Sequence, residues 1–162
     1  MDIVVIGAGL SGLTAAATLR NAGANVQILE ADTHLGGRIR ALRDPISQRA
    51  IADLGPTWVW PKYQPIAARW LEKLGLSTFE QFNEGDAVIL GYGPAPVRQP
   101  LPGQDGMVHI VGGPTALIEA LTNRIGDANI RTSASVSGIS EVGRNQIAVQ
   151  LGSDEVVTTD RV

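Results

Sequence analysis

The stretch Ile3-Val4-Val5-Ile6-Gly7-Ala8-Gly9-Leu10-Ser11-Gly12 decides how this chain is read. A short apolar run ends in glycines spaced Gly-x-Gly-x-x-Gly, and a small-residue helical pattern follows. Gly7 permits the tight turn out of the first strand. Gly9 has no side chain, so a pyrophosphate can approach the backbone, and Gly12 lets the helix pack close to the strand. A helix that starts here turns its free N–H groups and the positive end of its dipole toward phosphate. The next apolar run, Val26 to Leu29, ends on Glu30. That acid lies about 20 residues past the glycines, where a carboxylate accepts hydrogen bonds from ribose hydroxyls. Gly36-Gly37-Arg38 comes shortly after. Together these segments describe a cleft for an adenine dinucleotide. The chain has 19 glycines, so the spacing alone is weak. Its place after a strand, before a helix and in register with the acid is what carries the reading.

The pattern extends outward from this start. Residues 2 to 6 read as a strand buried on both faces, which suits a parallel sheet. Leu10 to Ala22 reads as a helix that gathers Leu13, Ala16, Ala17 and Leu19 and stops at Gly23. Residues 31 to 57 show little periodicity and read as a long loop with a basic stretch, Arg38, Arg40, Arg43 and Arg49. Pro61 and Pro65 frame a helix entry, Ile66, Trp70, Leu71 and Leu74 recur at helical spacing, and Gly75 closes it. From residue 76 to 106 Gly, Pro and Gln become frequent around one strand-like run, Ala87 to Leu90. A second amphipathic helix spans Thr115 to Ile125 between Pro114 and Gly126. Ile130 to Thr159 reads as an antiparallel meander with turns at Gly143-Arg144-Asn145 and Gly152-Ser153-Asp154. Asp160-Arg161-Val162 reads as the opening of another strand.

Composition bounds the remaining classes. At 162 residues, 44% hydrophobic and 18% charged, the chain is expected to be globular. Its net charge of −3 gives no electrostatic reason for a nucleic-acid or anionic-membrane partner. With no cysteine, disulfides, thiolate catalysis and a cysteinyl bond to a cofactor are excluded within these residues. No apolar stretch approaches the length of a membrane span. The N-terminus enters a core strand with no secretory pattern before it, so a cytoplasmic location is expected. His34 and His109 lack any metal-site or acid-paired spacing, so surface or structural roles are expected and no metal is.

Several segments, Gly7-x-Gly9-x-x-Gly12-Leu13, Leu29-Glu30-Ala31, Gly36-Gly37-Arg38, Asp53-Leu54-Gly55-Pro56-Thr57-Trp58, Phe79 to Asp86 and Gly112-Gly113-Pro114-Thr115-Ala116-Leu117, carry a resemblance. The chain resembles the flavin-containing amine oxidases, the monoamine oxidase-like family, along almost its whole length. The resemblance implies an α/β fold: a Rossmann-like FAD-binding domain with a parallel sheet, an added antiparallel β-meander and a small inserted piece of a substrate domain, the whole truncated. Residues 1–77 and 107–162 would form the FAD-binding domain, and 78–106 the start of the substrate domain. FAD is the implied cofactor. Gly7, Gly9, Leu10, Ser11 and Gly12 would surround the pyrophosphate, and Glu30 with Ala31 the adenosine ribose. Gly36, Gly37 and Arg38 would lie along the phosphate and ribityl chain. Gly55, Pro56, Thr57 and Trp58 match the segment beside the isoalloxazine ring, and Val136 a residue at the adenine edge.

Two positions depart from the family pattern. Asp32 stands where Arg is common, and Pro56, which has no N–H to donate, stands where many members have a second Gly. The family's active-site lysine and aromatic cage have no counterpart here. Lys62 and Lys73 are the only lysines, and neither lies in the matching context. The implied parent reaction is flavin-mediated hydride removal from an amine C–N bond, with a small amine as substrate and no catalytic residue nominated in this chain. Other readings stay open at this point. The chain would be a non-catalytic FAD-binding module or a subunit needing a second chain, and an open sheet edge would favour its self-association. It would otherwise be another flavoprotein of this scaffold, such as a carotenoid desaturase, a protoporphyrinogen oxidase or a sugar mutase, or an NAD-binding reductase. Arg38 is read as a phosphate grip rather than a solvated charge, the other arginines of 40 to 49 as surface, and Asp53 as the orienter of a turn. Trp58 and Trp60 serve either a cavity wall or a core.

Overall fold

The structure, a computed structural model, describes residues 1–91, 93–100, 106–152 and 154–162. In chain order the elements are β1 (Asp2–Ile6), α1 (Leu10–Asn21), β2 (Asn25–Leu29), β3 (Ala41–Arg43), β4 (Ala50–Asp53), α2 (Pro65–Lys73), β5 (Thr78–Glu80) and β6 (Ala87–Ile89). They continue with β7 (Val97–Gln99), β8 (Val108–Ile110), α3 (Thr115–Ile125), β9 (Ile130–Arg131), β10 (Val136–Gly143), β11 (Gln146–Leu151) and β12 (Val156–Thr159). They form two compact units. One holds Met1–Pro56 with Gly112–Val162, the other Thr57–Val111.

In the first unit, β1, β2 and β9 make a parallel sheet in the order β1-β2-β9, with Ile3 opposite Val26 and Val5 opposite Ile28. The crossover is α1, whose alanine-rich face permits close approach. Leu13, Ala16 and Ala17 are buried there. Helix α3 buries Leu117, Ile118, Leu121 and Ile125 at the expected 3.6-residue spacing. Gly126 then stops it at φ 86°, a conformation glycine adopts freely. Strands β10, β11 and β12 form the expected antiparallel meander. Its buried face packs Val149 and Leu151 against Val4, Leu29 and Ala134, joining meander and parallel sheet in one core. Arg161 forms an isolated parallel bridge with Ile3 of β1.

The second unit is built from short antiparallel pairs. β5 pairs with β8 and β6 with β7, and Val59 bridges the other side of β8 at Val108. The insertion expected over 78–106 lies inside this unit. Its residues Tyr92 and 101–105, and Ser153 of the second meander turn, fall outside the described residues.

Some expectations need correction. Residues 31–57 are not a plain loop, since Ala41 pairs with Asp53 and Leu42 with Ala52 in a β3–β4 hairpin. β1 is buried on both faces only at its centre, through Ile3 and Val4, while its ends Asp2 and Ile6 are exposed, Ile6 to 42%. Ile130–Arg131 joins β2 of the parallel sheet instead of the meander. Ile66, expected on the apolar face of α2, is 63% exposed, and Leu71 is that helix's buried residue.

The hairpin's turn is tied by Asp44, whose Oδ1 accepts from the N–H of Ser47 at 2.6 Å, the Ser47 hydroxyl at 2.9 Å and the N–H of Ile46 at 3.1 Å. These donors, Ser47 first, hold its carboxyl below the usual aspartate range. A depressed folded value means the turn gains stability above the unfolded pKa of 3.8 and loses it as pH falls through the lower folded value. An NMR titration is expected to place Asp44 below the usual aspartate range, and Ser47→Ala to move it back up.

Candidate dinucleotide-binding site

The bend between β1 and α1 is bare. Gly7 turns at φ 96°, and a Cβ built at Gly7 or Gly9 meets nothing within 4 Å. Gly9 caps α1 without any side-chain hydrogen bond. The first intrahelical bond there runs from the Leu13 N–H to the Gly9 carbonyl at 3.0 Å. The amides of Leu10, Ser11 and Gly12 therefore precede the ladder, and the first turn holds no acidic residue. Gly12 is different in kind. A Cβ there would lie 2.0 Å from the Gly7 carbonyl oxygen, so strand and helix touch through it.

Glu30 follows β2 directly and faces this bend. Its Oε2 accepts the Ala8 N–H at 2.6 Å and its Oε1 the Asp32 N–H at 2.8 Å. The carboxylate thus ties the glycine loop to the segment after β2. Each oxygen keeps a further lone pair for a ligand hydroxyl. Ala31 follows on the exposed side.

The doublet loop is laced to the same bend. Gly36 donates to the Ala8 carbonyl at 2.8 Å and pairs in parallel with Gly9. A Cβ at Gly37 would rest 3.5 Å from the Gly9 Cα. Arg38 is exposed, and its guanidinium makes no hydrogen bond or ion pair among the described residues. Arg40, by contrast, is engaged, bonding the Gly37 carbonyl at 3.1 Å and pairing with Asp32. Asp32 is therefore not an isolated repulsive charge. His34, then the Thr33 N–H and Arg40, hold its carboxyl well below the usual range. Arg43 pairs with Glu119 of α3 at 2.6 Å.

Gly55 brings the next segment against the doublet, since a Cβ there would lie 2.0 Å from the Arg38 carbonyl oxygen. Pro56 ends the first unit on its surface. Asp53 lies against Gly113, whose added Cβ would meet its Oδ1 at 2.8 Å. Val136 starts β10 and packs on the cluster containing Leu29. The backbone leading to it is bonded to the acid's segment, Ala134 N–H to Glu30 carbonyl at 2.8 Å and Ser133 N–H to Asp32 carbonyl at 3.0 Å. The structure thus gathers Gly7, Gly9, Leu10, Ser11, Gly12, Glu30, Ala31, Gly36, Gly37, Arg38, Gly55 and Pro56 in one unit, with Val136 joined through Ala134. Thr57 and Trp58 belong to the second unit, where Trp58 is 47% exposed and its indole N–H donates to His109 Nε2 at 3.0 Å.

Sequence reasoning missed the Glu30–Ala8 clasp and the Trp58–His109 pair. The first had a signal, since the acid is in register with the loop. The second had none, because its partners are 51 positions apart. A cavity of about 530 Å³ lies elsewhere, between the β3–β4 hairpin and α3, and is lined by Leu35, Ile39, Leu54 and Ile118 but by none of the β1–α1 glycines. Among the described residues no group of three or more His, Asp or Glu could hold a metal. No described helix is long and apolar enough to cross a membrane.

Comparison with known proteins agrees with this geometry. Residues 10–93 match the family model of the flavin containing amine oxidoreductases. Putrescine oxidase of Kocuria rosea is 38% identical over 89 residues, 55% of this chain and 18% of that protein. The solved structure of a wild-type putrescine oxidase bound to putrescine superposes with TM-score 0.83 at 19% identity, covering 99% of this chain and 57% of that one. An Exiguobacterium protein described as a protoporphyrinogen oxidase superposes almost as well, TM-score 0.80 at 14% identity, covering 99% and 58%. The chain therefore spans little more than half of these solved chains, and its match less than a fifth of the curated relative. Solved structures described as different oxidoreductases share this scaffold, and the family match covers residues 10–93: the chain belongs to the flavin-containing amine oxidoreductase family and carries the flavin-nucleotide-binding portion of such an enzyme.

Proposed function

We propose that this chain binds FAD across the β1–α1 bend, as the cofactor-holding part of an oxidoreductase acting on amines. The observation that carries the reading is the bare bend itself: open space over Gly7 and Gly9, three helix-start amides without intrahelical acceptors, and Glu30 directed at the same loop. In this reading Gly7, Gly9, Leu10, Ser11 and Gly12 take the pyrophosphate, and Glu30 with Ala31 takes the adenosine ribose. Val136 sits at the adenine edge. Gly36, Gly37 and Arg38 follow the phosphates and ribityl chain, with Arg38 supplying the cation. Gly55, Pro56, Thr57 and Trp58 run beside the isoalloxazine. We assign 1–77 and 107–162 to the FAD-binding domain and 78–106 to the start of the substrate domain. When bound, the flavin supplies acceptance of a hydride from the amine carbon. The chain's own residues bind and orient that cofactor.

The test is a titration of the apoprotein with FAD and, separately, with NADH. A yellow protein that keeps the absorbance band of oxidised flavin through gel filtration, with no NADH binding, is the expected result. Bleaching of that band by a primary amine without oxygen would extend it to the reaction. Binding of NADH in place of FAD would remove the reading.

A further inference from the structure

We infer that His109 is a positioning residue for Trp58, and that the proton on its Nε2 decides whether the indole is held. β8 is the middle of three chain segments, with β5 on one side and residue 59 on the other. Val108 and Ile110 are buried, so the intervening His109 turns to the opposite face. There it is flanked from both sides. Phe79, its cross-strand partner, stacks on the imidazole with centroids 5.1 Å apart and planes 13° apart. Trp58 meets it edge-on at 6.2 Å and in turn contacts Trp60 edge-on at 6.2 Å. Two side chains compete for one atom. The Trp58 indole N–H points at His109 Nε2 at 3.0 Å, and Gln81 Oε1 contacts the same nitrogen.

These two bonds exclude each other. An indole nitrogen only donates, so its bond needs a lone pair on Nε2. A carbonyl oxygen only accepts, so its bond needs a proton there. Neutral His109 protonated on Nδ1 holds Trp58. The imidazolium, which carries a proton on both nitrogens, donates to Gln81 and releases the indole. The charged residues on the neighbouring segments are Lys62 after Trp60, Glu80 on β5 and Glu84 after Gln81. None of them makes a hydrogen bond or ion pair with the imidazole among the described residues. The switch is thus set by proton occupancy at one ring nitrogen.

Tryptophan emission reads this directly, because an imidazolium that has given up the hydrogen bond but keeps its edge-on ring contact quenches the excited indole. In the wild-type protein, emission is expected to fall as pH drops. The transition is expected to persist in His34→Asn and to vanish in both His109→Gln and Trp58→Phe. The Gln side chain still offers an acceptor oxygen, so His109→Gln should keep wild-type emission of the high-pH form at every pH. A transition that survives His109→Gln or Trp58→Phe would overturn the assignment. The consequence for the cofactor rests on the placement of Trp58 beside the flavin. With FAD bound, the visible band is expected to shift with the same midpoint as the emission. A pH-indifferent band beside a pH-dependent emission would remove Trp58 from the flavin's side and leave the clamp standing.

Discussion

Gly12→Ala and Gly9→Ala are expected to fail in opposite ways, although both glycines belong to one motif. At Gly12 an added methyl would sit 2.0 Å from the Gly7 carbonyl oxygen and 3.1 Å from its carbon. Both are backbone atoms, fixed by β1 and by the Gly7 N–H bond to the Leu29 carbonyl at 2.7 Å. Relief requires α1 to move off the sheet, away from the packing of Leu13, Ala16 and Ala17. Forced overpacking of this kind destabilises by about 1–3 kcal/mol or more, a large share of a domain's roughly 5–15 kcal/mol. A lower urea midpoint without any ligand present is the expected result. At Gly9 the backbone is at φ −71° and ψ 174°, which alanine adopts freely, and the added methyl meets nothing within 4 Å. Such a site tolerates Gly→Ala, because the roughly 0.4–1 kcal/mol gained by restricting the unfolded chain offsets the poorer fit of alanine to a helix N-cap. The methyl nonetheless fills the space assigned to the pyrophosphate. FAD affinity is expected to fall about tenfold or more, equal to at least ~1.4 kcal/mol, while the urea midpoint holds or rises. Wild-type FAD affinity in Gly9→Ala would sink the phosphate assignment. A wild-type midpoint in Gly12→Ala would sink the account of helix–strand contact.

The contrast shows what a single sequence makes legible. Gly12 and Gly9 are both visible as letters of a motif, and their surroundings, one crowded and one empty, come from how strand, turn and helix close in space. Elements with strong periodicity were legible. Helix α3 was read at its observed limits because Leu117, Ile118, Leu121 and Ile125 face one core and Pro114 and Gly126 bracket them. The meander was legible through its turn residues. The β3–β4 hairpin was not, because it has no buried face to impose alternation. Leu42 is 51% and Ile51 61% exposed, and the register is set by polar ties such as Asp44 with Ser47 and Arg43 with Glu119. The place of β9 in the parallel sheet is illegible for a related reason. Two residues carry no period, and what places them is pairing with Ile28 and Leu29. The His109 cluster joins residues 58, 79, 81 and 109 by strand pairing alone, so no local window contains it.

Replacement of Glu30 separates holding a loop from holding a ligand. Glu30→Ala removes the acceptor for two backbone donors at once, the N–H groups of Ala8 and Asp32. Ala8 is fully buried, so its N–H loses its partner where water is scarce. Stranding such a group costs about 1–3 kcal/mol. The apoprotein is therefore expected to unfold at lower urea, and FAD binding to weaken by a similar ~1–3 kcal/mol, the scale of a lost polar contact. Glu30→Gln is not silent either. Its amide offers one oxygen and one NH2 to two donors, so one of the two N–H groups faces another donor, and an intermediate loss is expected. Lower affinity alone would not identify the ribose, because a sagging glycine loop would weaken any phosphate ligand. Ligand pieces divide the two causes. ADP carries the adenosine ribose and a diphosphate, whereas FMN carries a phosphate and the flavin but no adenosine. If Glu30 grips the ribose as well, Glu30→Gln lowers affinity for FAD and ADP by more than for FMN, whose loss reports the loop alone. If Glu30 only props the loop, all three fall together. Calorimetric titration of the wild type and Glu30→Gln with these ligands decides between the two, and a parallel loss for FMN would withdraw the ribose contact while keeping the clasp.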